Sequence, residues 1–324
     1  MRIRAGLLIA SAISMGALSS AWAQAPGKPG APPAPAAKAA APAPTPQPQA
    51  APTPAAPPAP SKTACANPNA LGVARVVAID TTGGPGFGFE HFKQLDFLRD
   101  KEVVLTFDDG PWPGNTPSVL KTLEEECTKA IFFPIGKHAM WHPEILKQVA
   151  AHGHTIGSHT WSHANLNNKK LTDDQKKEEI EKGFSAVAWA LGSAPSPFFR
   201  FPALQHPPAM VTYLGERNIA MWSCDLDSFD FKAHKAEKIV NTVMTKLDKH
   251  GKGIILMHDF QKHTAEALPE LMKRLKAGGY KVVQVKAKAP VQTLAKYDEE
   301  VTKSMKLPTV STRPLSSVVQ TISE

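Results

Sequence analysis

Val103-Val104-Leu105-Thr106-Phe107-Asp108-Asp109-Gly110-Pro111 begins as a β-branched, apolar run and ends on two adjacent carboxylates and a Gly-Pro pair. The run reads as a buried strand, and Gly110-Pro111 stops it where its last side chains emerge. Successive strand side chains point to opposite faces, but a strand end running into a tight turn relaxes that rule, so both carboxylates can reach one cleft. Alone, Asp-Asp-Gly reads first as an acidic surface turn.

His159-Thr160-Trp161-Ser162-His163, directly after Gly153-His154-Thr155-Ile156-Gly157-Ser158, sets two imidazoles four residues apart. On a helical turn the two rings share a face, at a spacing that suits a divalent metal, and Asp109 completes a facial set with them.

Thr106–Pro111, Gly153–His163, Arg200-Phe201-Pro202 and Leu256-Met257-His258 follow one another in this order along the chain. In this they resemble the ordered motifs of the NodB-type polysaccharide deacetylases, carbohydrate esterase family 4. The resemblance covers about residues 100–286. It implies a distorted (β/α)7 barrel of α/β class and a metal-dependent hydrolase that removes N-acetyl groups from a GlcNAc-containing poly- or oligosaccharide such as peptidoglycan, a chitin-like chain or an exopolysaccharide. It also implies a role for each matching residue. Asp109, His159 and His163 hold the metal, zinc (Zn2+) in most of the family, with Co2+, Ni2+ or Mn2+ also suited to the donor set. Asp108 is the base that activates a metal-bound water, Arg200 tethers that base, and His258 is the acid that protonates the leaving amine. Asp230 matches the carboxylate that orients the acid, with Asp225 and Asp227 as competing candidates. Pro202, Phe231 and Leu256 fall at substrate-contacting positions. Where the family has Tyr-Gly after the arginine motif this chain has Ala203-Leu204, and where it has Asp-Trp this chain has Asp230-Phe231. The oxyanion donor at the first of these positions is a backbone N–H, which Ala203 keeps. Two alternatives share the same residues: an esterase acting on O-acetyl groups of xylan-like glycans, and a glycan-binding module without turnover.

Around this centre the chain divides by composition. Residues 1–23 combine a basic start, an apolar stretch and Ala21-Trp22-Ala23, the pattern of a cleavable secretory signal, so a periplasmic or secreted protein with no stable membrane span after cleavage is expected. Residues 24–62 hold nearly half of the 30 prolines and read as a disordered or semi-stiff spacer. Residues 63–100 read as an N-terminal extension packing on the barrel, and their Gly83–Gly88 cluster lacks the Lys of a phosphate loop.

Over 101–286 strand-like runs at 103–108, 130–136, 155–159, 198–202, 219–225, 253–258 and 280–285 alternate with amphipathic stretches near 116–126, 142–152, 172–191, 207–217, 235–250 and 264–277, as in a parallel β/α barrel. The motif residues fall at or just beyond strand C-terminal ends, where such barrels build their sites. Pro134 removes a ladder donor, so a strand end or distortion is expected there. Residues 287–324 read as a peripheral tail. Of three cysteines, Cys65 and Cys127 are expected to pair and Cys224 to be buried and inert. The net charge of +8 favours an anionic cell-envelope or extracellular glycan as partner, and no basic, aromatic-interleaved patch points to nucleic acid.

Overall fold

The computed structural model describes Cys65 and residues 67–304. The leader expected over 1–23, the spacer over 24–62 and residues 305–324 lie outside the described residues. In chain order the elements are β1 (Arg75–Ile79), β2 (Gly86–Phe87), β3 (Glu102–Asp108), α1 (Asn115–Glu125), β4 (Ala130–Phe133), α2 (Gly136–Trp141), α3 (Pro143–Ala151), β5 (Thr155–Ile156), α4 (Asp173–Leu191), β6 (Phe198–Phe199), α5 (Pro208–Glu216), β7 (Ala220–Trp222), β8 (Leu226–Asp227), α6 (Ala236–His250), β9 (Gly253–His258), α7 (Lys262–Ala277), β10 (Lys281–Ala287) and α8 (Ala295–Ser304).

Strand β3 is the hub. It pairs in parallel with β4 along one edge and with β9 along the other, β4 continues to β5, and β9 continues to β8. A single parallel bridge, Ser158↔Phe199, reaches from beyond β5 to β6, which pairs with β7. No ladder joins β7 to β8 among the described residues. This is the distorted (β/α)7 barrel, open between β7 and β8. The strand expected over 219–225 is two short strands with a turn at 223–225, and the run at 280–285, β10, pairs with only the first two residues of β3 before β1 adds to it.

All seven residues of β3 are buried, and their alternation sorts two layers. Val103, Leu105 and Phe107 pack into the helix layer with Val119, Leu123 and Leu271. Val104 faces the barrel interior with Ile131, Phe133, Phe198, Trp222 and Ile254. By the same period of two, Thr106 and Asp108 belong to the inward set.

The N-terminal segment is threaded into the sheets, not only laid on them. β1 pairs with β10, and β2 pairs with β7 beside the opening. Gly88 makes this approach, since a side-chain carbon there would meet the backbone of Ser223 and Cys224 at 2.7 Å, and its φ is 99°. Cys65 and Cys127 form a disulfide with Cα atoms 5.8 Å apart, fixing this segment to the end of α1. Cys224 is buried, and burial pushes its thiol upward.

Pro134 follows the last residue of β4, so it interrupts no ladder, and its carbonyl accepts the His159 N–H at 3.0 Å. Helix α4 begins on a capping box, Thr172 with Gln175, and ends on a left-handed Gly192. The segment read as a peripheral tail contains α8, whose Val301 is fully buried in a small cluster with Met140 and Ala186. One apolar position on a ten-residue helix is too weak a pattern to read from sequence.

Candidate active site

Asp108 ends β3 opposite His258, which ends β9; the two are register partners. The inward direction of Asp108 points it at Arg200, which is fully buried just past β6. Arg200 Nη1 donates to Asp108 Oδ1 at 2.8 Å and to Thr106 Oγ1 at 2.7 Å. Its other donors are taken by the carbonyls of Trp222 (3.3 Å) and Ser223 (2.8 Å), and the guanidinium lies 4.5 Å from the Phe133 ring centroid. A buried charge paired and hydrogen-bonded in this way is fixed in orientation, and so is the carboxylate it holds.

Asp109 should face the helix layer. Its φ of 73° turns the backbone so that its carboxylate joins the cleft. Asp109 Oδ1 lies 3.5 Å from His159 Nε2 and 3.4 Å from His163 Nε2. Helical geometry does not bring the two histidines together: residues 159–163 form a loop in which Thr160 (φ 65°) and His163 (φ 60°) are left-handed. Glu179 of α4 holds this loop, accepting from the Ser162 N–H and Oγ–H, and Gly183 lets the helix approach Thr160 closely. His159 Nδ1 donates to the Arg200 carbonyl at 2.7 Å, which leaves the Nε2 lone pair facing Asp109. Burial pulls His159 down to about 3, against the upward influence of Asp108, so this ring is neutral at pH 7. Burial likewise lowers His163.

One atom from each of Asp109, His159 and His163 lies within 4.8 Å of the others, and Asp109 Oδ1 is buried with no hydrogen-bond partner. Burial pushes Asp109 up to about 7, with Asp108 and Asp230 adding to it against the pull of His258. Two neutral nitrogens and an orphaned carboxylate oxygen form a donor set that fits a divalent cation.

Asp230 is the carboxylate that meets His258. Its Oδ1 accepts from His258 Nδ1 at 2.6 Å, and its Oδ2 accepts from the His258 N–H at 2.7 Å and from Thr264 Oγ1. The competitors are engaged elsewhere: Asp225 accepts from the Phe89 and Ile254 N–H groups, and Asp227 from the Phe229 N–H. Burial pulls His258 down, but the hydrogen bond and charge of Asp230, with the charges of Asp109 and Asp108, outweigh it and raise the imidazole to about 10. Nδ1 is engaged by Asp230, which leaves the second ring nitrogen as the one not held by that carboxylate.

Ala203 (φ 53°) sits in a short 3-10 turn, Pro202–Leu204; it is exposed, and its N–H makes no hydrogen bond among the described residues. Of the three residues read as substrate contacts, Pro202 and Leu256 are buried and Phe231 alone offers exposed surface.

Some contributors carry no motif signal. His138 Nδ1 donates to the Asp109 carbonyl at 2.6 Å. Asp259 accepts from the Gly110 N–H and from Thr116 Oγ1, tying the Asp-Asp-Gly-Pro turn to the end of β9. His154 lies at the opposite end of β5, away from the ligand cluster, where its Nδ1 accepts from the Ala130 N–H.

Residues 97–222 match the family model described as polysaccharide deacetylase. Over 205 residues the chain is 33% identical to a peptidoglycan-N-acetylglucosamine deacetylase of Bacillus cereus, spanning 58% of this chain and 87% of that protein. It is 33% identical over 191 residues to the peptidoglycan-N-acetylglucosamine deacetylase PgdA of Listeria monocytogenes, matching 57% of this chain but only 38% of that larger protein. Among solved structures, the Bdellovibrio bacteriovorus peptidoglycan deacetylase Bd3279 superposes with a TM-score of 0.60 at 33% identity, covering 67% of this chain and 59% of that one. With the barrel, the Asp-His-His cluster and the paired Asp-Arg and His-Asp groups already in place, this chain belongs to the polysaccharide deacetylase family.

Proposed function

We propose that this chain is a metal-dependent hydrolase that removes N-acetyl groups from a GlcNAc-containing envelope glycan, with peptidoglycan the first candidate because relatives are named for it. The observation that carries the reading is the convergence of three units at the ends of β3, β6 and β9 and in the segments after β5 and β8: an Asp-His-His donor set, a carboxylate held by a buried arginine, and a histidine held by a buried carboxylate.

Asp109, His159 and His163 would hold the cation. When bound, it supplies Lewis acidity that polarises an acetyl carbonyl and lowers the pKa of water. Asp108 has Oδ1 occupied by Arg200, so Oδ2, 4.0 Å from His159 Nε2, is the oxygen that takes a proton from the attacking water. The new C–O bond places negative charge on the former carbonyl oxygen, to which the Ala203 N–H would donate a hydrogen bond. His258 then delivers its proton to the departing nitrogen as the C–N bond breaks, giving free amine and acetate. Asp230 keeps that proton in place at neutral pH. A leader at 1–23 would deliver the enzyme to the compartment where such a glycan is found.

Acetate release from peptidoglycan, N-acetylglucosamine oligomers and acetylated xylan tests the reading. Release from either of the first two supports it. Release from xylan alone makes the protein an O-acetyl esterase. Glycan binding without release from any substrate makes it a binding module, the reading that Ala203-Leu204 and Phe231 would then explain.

A further inference from the structure

Residues 133–138 lead from the end of β4 into α2 and hold both segments that carry the Asp-His-His set. The Phe133 carbonyl accepts the Asp109 N–H at 3.2 Å, and the Pro134 carbonyl accepts the His159 N–H at 3.0 Å. The Ile135 N–H donates to the Gly110 carbonyl at 3.2 Å, and the Gly136 and Lys137 N–H groups donate to the carbonyls of Thr160 and Trp161, each at 2.9 Å. The first N–H groups of a helix have no partner inside it, and α2 directs two of them into the histidine loop. His138 closes the series, its Nδ1 donating to the Asp109 carbonyl. Phe133, Ile135 and His138 thus hold the Asp109 turn, while Pro134, Gly136 and Lys137 hold the loop that carries His159 and His163.

Within this bracket His138 supplies the bond that comes from a side chain, and Asp109 depends on it. The left-handed backbone of Asp109, φ 73°, is what turns its carboxylate into the cleft, and that conformation is uncommon for a residue with a side chain. Phe133 holds the peptide group before Asp109 and His138 the one after it, so the torsions on both sides of its Cα are fixed. The imidazole is itself flanked by Trp112 and Trp141, with ring centroids 5.2 Å away on each. The far side of the bracket has no room to shift. A side-chain carbon at Gly136 would meet the Trp161 ring at 3.0 Å and Ala186 and Gly183 of α4 at 3.2 Å.

We infer that His138 is a positioning residue of the cation site. By holding the Asp109 carbonyl it fixes how far the Asp109 carboxylate stands from His159 and His163, and so sets the affinity of the site for a divalent cation. His138 lies outside the Asp109, His159 and His163 donor set and acts through Asp109. The inference rests on the metal-dependent reading given above and adds to it a residue from outside the motifs. Hydrogen-bond partners behind a ligand have this effect because they restrict the ligand to the orientation that the ion requires.

The test is zinc binding by the full chain, stripped of metal and titrated against a competing chelator, in the wild type and in His138→Ala, His138→Asn and His138→Gln. The side-chain nitrogen of Asn is attached to Cγ, as Nδ1 is, whereas that of Gln lies one carbon further out. His138→Ala should weaken zinc binding roughly tenfold to a hundredfold. His138→Asn should recover most of the loss and His138→Gln little of it, and the visible spectrum of the Co2+-loaded protein should change in His138→Ala and return in His138→Asn. If the alanine variant does not fold, the Asn and Gln variants decide. Zinc affinity unchanged in His138→Ala, with only the Tm of the zinc-free protein lowered, would overturn the inference and leave the metal reading intact, as would Gln restoring affinity as fully as Asn. A wild type that binds no zinc would overturn both.

Discussion

At the scale of single residues, the site works by giving each carboxylate one task. Asp108 and Asp109 are neighbours, yet the first is fixed by Arg200 and the second faces two imidazoles, because one residue follows the strand alternation and the next breaks it with a positive φ. Asp108→Asn keeps an acceptor for Arg200 but cannot take a proton. Its acetate release should fall by about 10²–10⁴-fold while zinc content stays that of the wild type; loss of zinc together with activity would make Asp108 a ligand. Asp230 supports His258 through a hydrogen bond and a charge that favour the imidazolium. In Asp230→Asn the charge is gone, the histidine gives up its proton at lower pH, and the alkaline limb of the kcat profile moves to lower pH. An unmoved alkaline limb would take the acid role away from His258.

At the scale of elements, the strand-end turn depends on what packs behind it. A side-chain carbon at Gly110 would run into the Asp259 carboxylate, which also receives the Gly110 N–H. Gly110→Ala should therefore destabilise the fold by about 1–3 kcal/mol and depress activity, read by thermal melting and acetate release on the same preparation. The disulfide acts at the other end of the barrel, closing a 62-residue separation. Cys65→Ser should cost about 2–4 kcal/mol of stability and lower Tm, with kcat on peptidoglycan little changed, since neither cysteine contacts the cleft. Strand β3, the ends of β6 and β9 and the long amphipathic helices were legible in sequence because burial on both faces and helical periodicity leave strong patterns. Less of the loop at 159–163 was legible. Two left-handed residues and the grip of Glu179 join its histidines, and neither leaves a periodic signal. Two-residue strands such as β2 and β8 are invisible for the same reason, as is α8 with its single buried valine.

At the scale of the whole molecule, the described residues form a barrel whose opening between β7 and β8 is bordered by a strand from the N-terminal segment. The candidate catalytic residues were legible because motif order fixes them; their partners His138, Asp259 and Thr264 were not, since they act through contacts between elements distant in sequence. The net charge of +8 predicts that association with an anionic envelope glycan weakens with salt: KM on peptidoglycan should rise from low to physiological ionic strength more than KM on neutral N-acetylglucosamine oligomers does.

The most direct measurement strips the full chain with a chelator and then follows acetate release from peptidoglycan as zinc is returned, beside a His163→Ala variant treated the same way. Release should stop on chelation, return with zinc to a plateau at about one equivalent, and stay absent in the variant at that dose. Release that persists through chelation, or that zinc restores equally in His163→Ala, would contradict a metal held by Asp109, His159 and His163.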